Sequence, residues 1–221
     1  MAEIEKKTKE AVDAQGWLHS GDKGCVNTRG MFRVTGRYKE LLIGAGGENV
    51  APVPIEDNIK ALCPAISNVM MVGDKMPFNC ALVTLKAVGA NGEVPGTDEL
   101  LAEALAYQKG LMGAAASGGG GGGGEGPTTI SGASAPDSAL VAAITKAIAD
   151  TNKNQDVCPS NASKVQKFMI LPLDFSVETD DFTPTFKLKR SNVSARFAPE
   201  VAAMYESKST YVQYSAVTKK K

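Results

Sequence analysis

The sequence is poor in the residues that most often hold metals or serve as catalytic bases. It has one histidine, His19, which excludes histidine-rich metal sites and most Ser-His or Cys-His schemes unless His19 is itself the base. A lone histidine in such a segment is more often a structural side chain. Four cysteines are present without any CxxC spacing: Cys25, Cys63, Cys80 and Cys158. Their spacing argues against a zinc site or a disulfide framework and favours reduced thiols in the cytoplasm.

The sequence also lacks an excess of charge and a long apolar run. Lys plus Arg and Asp plus Glu both number 24, and this balance argues against nucleic acid as a partner, because such binding draws on excess basic charge. No apolar run approaches the roughly 20 residues that cross a bilayer. The start MAEIEKKTKE has no apolar segment of the kind found in signal peptides. We therefore predict a cytoplasmic protein, with peripheral membrane contact left open.

The residues that are present predict a folded chain arranged around one stretch. The chain has 221 residues, of which 43% are apolar and 22% charged, enough for one or two domains with a core. Residues 36–55 read GRYKELLIGAGGENVAPVPI. This order indicates a charged turn, a short apolar strand, a glycine loop and the start of a helix. Taken alone, the stretch predicts only an α/β unit with a glycine loop.

Local patterns along the rest of the chain predict an α+β fold. A hairpin precedes the central stretch, with strands at residues 24–26 and 31–35 and a turn at residues 27–30. Residues 66–73 and 79–88 follow as two strands that are antiparallel because their connection is short. A helix capped by Thr97 or Asp98 is predicted to run through Leu111. Further elements are predicted as helix 53–63, helix 137–152, a strand within residues 164–172 and a last helix at residues 192–207.

Residues 114–136 interrupt this pattern with a glycine-rich segment. Seven consecutive glycines occupy positions 118–124. Such a segment buries too little apolar surface to offset its ordering entropy, so we predict a disordered surface insert. A phosphate cradle is disfavoured because no lysine follows the glycines and no helix N-terminus is indicated. Deleting residues 118–124 is therefore expected to cost little stability.

Three motifs in order carry a resemblance to a known family. They are GWLHSGD at residues 16–22, the stretch GRYKELLIGAGGENVAPVPIED, and FTPTFKLKR at residues 182–190. Together they resemble the acyl-adenylate-forming, AMP-binding enzymes in the form found in long-chain and very-long-chain fatty acyl-CoA synthetases of the bubblegum type. The resemblance implies that residues 1–38 end the large AMP-binding domain. Residues 39–213 would then form the C-terminal lid domain, an α+β unit with a mixed or antiparallel sheet and packed helices. It would be interrupted by the insert and followed by a basic tail, 214–221.

The same resemblance implies a two-step reaction and a catalytic lysine. A fatty acid carboxylate attacks the α-phosphate of ATP, pyrophosphate leaves, and the thiol of coenzyme A then displaces AMP from the acyl-adenylate. A fixed cation can neutralise the phosphate oxygens without transferring a proton. Lys187 matches the family's catalytic lysine, with Lys189 and Arg190 as alternatives in register. The competing interpretation is a solvated basic run at the start of a helix, although such a run opposes the helix dipole.

Other positions match the family's nucleotide and hinge motifs. Asp22 matches the carboxylate that accepts hydrogen bonds from the ribose hydroxyls, although an Asx turn is the alternative. Arg37 matches a second ribose or phosphate contact, with a surface ion pair as the alternative. Lys39 matches the hinge about which the lid rotates between the half-reactions.

The glycine loop of the central stretch matches the loop that meets the coenzyme A channel. Its residues are Gly46, Gly47 and Glu48, and a plain turn between strand and helix is the competing interpretation.

The resemblance also implies which substrates and partners the chain needs. ATP, coenzyme A and a long-chain fatty acid are expected as substrates, with magnesium bound to ATP by ligands outside this chain. We find no phosphate loop, adenine pocket or acyl tunnel in the sequence, so a large N-terminal AMP-binding domain is expected as a partner. The chain is expected to lack full ligase activity alone. The alternative hypothesis is a non-catalytic interaction domain, or a degenerate truncated paralogue, that keeps the lid fold.

Overall fold

The computed structural model describes residues 11–116 and 126–214. The first element is an antiparallel hairpin of β1 (Asp22–Val26) and β2 (Phe32–Arg37), and this confirms the predicted hairpin. Its turn is closed by Asn27, whose side-chain oxygen accepts the amides of Arg29 and Met31 at 2.9 and 3.0 Å. A 3₁₀ turn (Tyr38–Glu40) leads to a second, shorter hairpin of β3 (Leu42–Ile43) and β4 (Asn49–Val50).

The centre of the molecule is a mixed three-stranded sheet. Its strands are β5 (Ile66–Val72), β6 (Asn79–Leu85) and β7 (Val165–Ile170). As predicted, β5 and β6 are antiparallel, whereas β6 and β7 are parallel. All seven residues of β6 are buried, because the strand is central and both of its faces are covered. The fold is therefore α+β with a mixed sheet, as predicted.

Helices cover both faces of this sheet and create two apolar clusters. The helices are α1 (Pro52–Leu62), α2 (Ala102–Ala116), α3 (Ile130–Ala133), α4 (Ala139–Lys153), α5 (Arg190–Arg196) and α6 (Ala198–Glu206). Alternate strand residues point to opposite faces. Val83 and Phe168 pack with Ile55 and Ile144 of α1 and α4, whereas Leu82 packs on the other face, in the cluster that holds residues of α5 and α6. The helix pattern predicted for residues 53–63 and 137–152 is confirmed to within two residues.

The segment after residue 97 folds differently from the prediction. Helix α2 begins only at Ala102, because the backbone just before it is bonded to other segments. The amide of Leu100 donates to the carbonyl of Thr128 at 2.8 Å, and Leu100 forms an antiparallel bridge with Ala87. Neither Thr97 nor Asp98 caps α2, because the helix starts only at Ala102. The carboxylate of Asp98 instead accepts the amide and hydroxyl of Ser131 at 2.9 and 2.6 Å, across the chain. The predicted cap is therefore wrong.

The prediction of disorder from residue 114 to 136 is wrong at both ends of that range. Residues 114–116 finish α2, and residues 130–133 form α3 with Ile130 and Ala133 buried in the core. Burial of those two apolar side chains stabilises residues 130–133, which were predicted to be disordered because they follow the glycine-rich stretch. The glycines at 118–124 lie outside the described residues, as do the first ten residues and the tail from residue 215.

The predicted last helix is two helices. Helix α5 ends at Arg196 and α6 starts at Ala198, with Phe197 between them and Pro199 in the first turn of α6. Proline lacks an amide hydrogen and so favours the first turn of a new helix over the interior of a longer one. No helix within the described residues is long and apolar enough to cross a membrane.

Candidate functional site

The candidate catalytic lysine lies in a small closed loop. Phe182 and Leu188 pair as an antiparallel bridge, and the loop between them is closed by hydrogen bonds to Thr183. The amide of Thr183 donates to the carbonyl of Lys187 at 2.8 Å, and the amide of Lys187 donates to the Thr183 hydroxyl at 3.1 Å. The amide of Phe186 also donates to the Thr183 carbonyl at 2.8 Å. The loop is therefore a defined structure, with the side chain of Lys187 exposed.

The structure separates the three cations of the KLKR run. Arg190 makes a bidentate ion pair with Glu56 of α1, at 2.7 Å from Nη1 to Oε1 and 2.6 Å from Nη2 to Oε2. Burial alone would lower the pKa of Arg190, but the hydrogen bonds and charge of Glu56 outweigh burial and raise it. Lys189 pairs with Asp180, and the hydrogen bond from Lys189 lowers the pKa of that carboxyl. Within the described part of the chain, the ammonium of Lys187 has no acidic ion-pair partner and donates no hydrogen bond.

Two acidic residues that the sequence analysis did not single out as functional hold this loop on the body of the fold. Glu56 is almost fully buried and also accepts the amide of Met71 from β5 at 2.6 Å. Asp181 is buried and accepts Arg196 Nη1 at 2.6 Å, while its backbone carbonyl accepts the amide of Lys189 at 2.7 Å. Nothing in the local sequence pattern around Asp181 or Glu56 indicated that either carboxylate would be buried against a basic partner.

Asp22 and Arg37 are brought together by the register of the first hairpin. They are cross-strand partners, and Arg37 Nε lies 3.3 Å from Asp22 Oδ1. The geometry is therefore compatible with a surface ion pair and with a nucleotide contact. The pair is partly exposed and engages one oxygen of Asp22, which leaves Oδ2 able to accept further hydrogen bonds. His19 contacts Asp13 Oδ2 at 3.0 Å, and this contact favours the structural interpretation of that histidine.

The predicted hinge residue and the glycine loop follow the first hairpin in sequence and precede the three-stranded sheet. Lys39 is the middle residue of the 3₁₀ turn that joins β2 to β3. Gly46 and Gly47 form the turn between β3 and β4, closed by the Gly47 amide on the Gly44 carbonyl at 2.9 Å. A Cβ atom at either glycine would meet no heavy atom within 4 Å, so the turn faces open space. The geometry fits both an open channel wall and a plain turn.

A cleft of about 870 Å³ gathers part of the predicted site. Arg37, Glu40 and Glu48 line it together with Asn58 of α1. Lys187 does not line this cleft, but the residues that follow it, Leu188 to Asn192, border a second depression with Glu40. The structure therefore brings the end of the 3₁₀ turn next to the residues that follow Lys187, whereas Lys187 itself does not line the cleft that holds Arg37. Among the described residues, no group of three or more His, Cys, Asp or Glu side chains is arranged to hold a metal ion.

Comparison with known protein families and solved structures shows what this chain is similar to. Residues 39–106 match the family model of the AMP-binding enzyme C-terminal domain. In fold, the chain is similar to the adenylation domain of a carboxylate reductase from Mycobacterium chelonae, with a TM-score of 0.61 and 17% identity over 92% of this chain and 25% of that one. The corresponding domain from Segniliparus rugosus, solved in complex with AMP and a co-purified carboxylic acid, gives a TM-score of 0.61 and 19% sequence identity. That match covers 91% of this chain and 25% of the Segniliparus chain.

Sequence comparison narrows the class to a particular group of relatives. The chain is 45% identical over 209 residues to the long-chain-fatty-acid–CoA ligase ACSBG2 of Gallus gallus, covering 94% of this chain and 25% of that ligase. It is 37% identical over 204 residues to human ACSBG1, covering 92% of this chain and 26% of that ligase. These findings confirm the resemblance to the C-terminal portion of bubblegum-type long-chain fatty acyl-CoA synthetases. The chain spans about a quarter of the length of these relatives.

Proposed function

We propose that this chain supplies the C-terminal lid of an enzyme that activates long-chain fatty acids with ATP and transfers them to coenzyme A. The observation that carries the proposal is the difference among the cations of the lysine motif. Arg190 and Lys189 are neutralised by Glu56 and Asp180, whereas Lys187 is exposed on a closed loop with no ionic partner in the described residues. A cation held this way is available to an anionic ligand.

The proposed chemistry uses Lys187 as a positioned charge. When a fatty acid carboxylate attacks the α-phosphate of ATP, negative charge collects on the phosphate oxygens and the leaving pyrophosphate. The ammonium of Lys187 would neutralise that charge without giving up its proton, and a preorganised charge of this type commonly contributes two to three orders of magnitude, roughly, to a rate. The closed loop keeps the cost of reorganisation low, because its backbone is already hydrogen-bonded.

The remaining site residues are assigned to nucleotide binding and rotation. Asp22 would accept the ribose hydroxyls through its second oxygen, while Arg37 holds the first oxygen and faces the cleft. Lys39 would be the hinge. Gly46, Gly47 and Glu48 would line the path of coenzyme A, an assignment supported by their open surface and by the position of Glu48 in the cleft.

The proposal also assigns partners. A large AMP-binding domain would supply the acyl site and the magnesium ligands, in keeping with the quarter of the relatives' length that this chain spans. Magnesium would arrive with ATP and balance its phosphate charge. We assign the chain to the cytoplasm, with peripheral membrane contact through the fatty acid substrate.

Fatty-acid-dependent release of pyrophosphate from ATP tests the proposal. The purified chain would be assayed alone and after mixing with a separately made large domain of a related ligase, and activity is expected only in the mixture. Lys187→Ala should slow this half-reaction by about 10²-fold or more. Thioester formation from supplied acyl-adenylate should be largely retained, since that step does not create the same charge.

Lys189→Ala is the matched control, because Lys189 is the neighbouring lysine and already has a partner in Asp180. It should change the adenylation rate far less than Lys187→Ala. Equal losses in both half-reactions for Lys187→Ala, or equal losses for the two lysines, would contradict the assigned role. No activity in the mixture would instead favour a domain that works by binding alone.

A further inference from the structure

Phe186, which directly precedes Lys187, has an unusual backbone conformation. Its φ is 56°, in the left-handed region that bulky L-residues rarely occupy. Its side chain is 52% exposed, so burial in a core does not account for the conformation. A residue stays in such a region only when its surroundings hold it there. The amide of Phe186 donates to the Thr183 carbonyl at 2.8 Å, which fixes one side of the residue.

The other side of Phe186 rests on Gly92. A Cβ atom built at Gly92 would lie 2.9 Å from both Cδ1 and Cε1 of the Phe186 ring, closer than side chains pack. Gly92 itself has a φ of +86°, so glycine is favoured there by its backbone as well as by the ring. The Gly92 loop is also bonded to the segment that precedes the lysine loop, since the amide of Val177 donates to the Gly92 carbonyl at 2.8 Å.

We propose that Gly92 and Phe186 are positioning residues for Lys187. The ring lies against the glycine, this contact holds residue 186 in the left-handed conformation, and that conformation sets the direction in which Lys187 leaves the loop. The inference rests on the proposed function of Lys187. Its importance follows from geometry, because a misplacement of roughly 1 Å in a catalytic group can cost about 10²-fold in rate.

Gly89 in the same loop provides a matched control. Its φ is +80°, close to that of Gly92, but the nearest atom to a Cβ built there is Gly96 Cα at 3.8 Å, an ordinary contact. Gly89→Ala and Gly92→Ala therefore introduce similar backbone strain. Only Gly92→Ala places a methyl group against the Phe186 ring.

The first measurement is amide hydrogen exchange in the full chain, without any substrate. The amides of Phe186 and Lys187 both donate to Thr183, so their exchange rates report the structure of the lysine loop. In Gly92→Ala they should exchange about tenfold faster than in Gly89→Ala, because the displaced ring releases residue 186. Equal exchange rates in the two variants would overturn the proposal, whatever the activity.

The second measurement is the rate of pyrophosphate release in the mixture with the large domain. Gly92→Ala should lower kcat roughly tenfold more than Gly89→Ala, with little change in the KM for ATP, because the nucleotide contacts are elsewhere. Phe186→Ala should show a similar loss. The double variant Gly92→Ala, Phe186→Ala should be no slower than Gly89→Ala, Phe186→Ala, since the backbone strain is similar and the ring contact is already lost in both. A further loss in the first of these variants would overturn the proposal.

The two measurements also separate this inference from the proposed function. If Lys187→Ala leaves the adenylation rate unchanged, the proposed function fails, and the exchange data still decide whether Gly92 and Phe186 hold the loop. If Lys187→Ala abolishes adenylation while Gly92→Ala behaves like Gly89→Ala, the function stands and the positioning role fails.

Discussion

The first hairpin and the body that follows it use their apolar residues in opposite ways. In the region of residues 11–38, Trp17 is 74% exposed and Phe32 is 86% exposed. In the body, Ile55 and Phe168 are fully buried in one cluster, and a second cluster covers the other face of the sheet. The body therefore stabilises itself, whereas the hairpin is held mainly by its backbone pairing.

The candidate site is divided along the same line. Lys187 lies on a loop that ion pairs to two buried carboxylates fix to the body, whereas Asp22 and Arg37 lie on the exposed hairpin and contact each other through a partly exposed pair. The lysine half of the site is thus preorganised within this chain. The nucleotide half is ordered only as far as one cross-strand pair, which agrees with the proposal that a larger domain completes it.

Thiol reactivity gives the largest expected difference between the two regions. Cys25 is exposed on the hairpin, while Cys63, Cys80 and Cys158 are buried in the body. Burial raises the pKa of the Cys80 thiol to about 11 and also raises the pKa of Cys63 and Cys158, so the reactive thiolate is disfavoured at pH 8. Cys25 should react with a thiol reagent about a thousandfold faster than the buried three, which must wait for opening of the fold.

Mass spectrometry of the singly labelled chain identifies which cysteine reacts first. The matched control is Cys25→Ser, in which the fast phase should disappear and the slow phase remain. Early labelling of Cys80 would show that the body opens readily, and the contrast between the regions would then be lost.

The sequence predicted most of the body because its local patterns and its tertiary packing agree. The apolar runs of β5 and β6 and the helical period of α4 are continuous, and those elements appeared within a few residues of their expected positions. The exceptions depend on distant partners. Asp98 faces Ser131, 33 residues away, and the burial of Ile130 can be recognised only once the core exists.

The candidate site was predicted in part for the same reason. The motifs identified Lys187, Asp22 and Arg37, but the choice among Lys187, Lys189 and Arg190 stayed open because register alone does not show which cation is neutralised. The decision depends on Glu56, which lies 134 residues from Arg190, and on Asp180. The contact of Phe186 with Gly92 has no signal in sequence, since neither residue is unusual until its backbone conformation is known.

Core truncation gives the next largest difference. Phe168 is fully buried, and its ring centroid lies 5.0 Å from that of Tyr211, so Phe168→Ala should lower the free energy of unfolding by about 3–5 kcal/mol. Phe32→Ala, at an exposed position of the hairpin, should change it by less than about 0.5 kcal/mol. Urea unfolding followed by circular dichroism measures both values. A comparable loss in Phe32→Ala would mean that the hairpin is part of the body's cooperative unit.

The Arg190–Glu56 and Arg37–Asp22 pairs give the smallest but most informative difference. Arg190→Ala would leave the buried Glu56 carboxylate without its cation, so it should destabilise the body by about 3 kcal/mol in urea unfolding. Arg37→Ala breaks an exposed pair and should cost less than about 1 kcal/mol.

When nucleotide binding is measured instead of stability, the order should reverse, with Arg37→Ala having a larger effect than Arg190→Ala. Arg37→Ala should raise the KM for ATP roughly tenfold in the complemented enzyme, since a charge-assisted contact to the nucleotide is lost. The double variant Glu56→Gln, Arg190→Met should recover part of the stability lost in Arg190→Ala, because it removes the stranded charge. If adenylation in this double variant is much slower than in the unaltered enzyme, the pair serves to place the lysine loop as well as to stabilise the body. If its adenylation rate matches that of the unaltered enzyme, Glu56 and Arg190 support the fold alone, and Lys187 is positioned by its own loop.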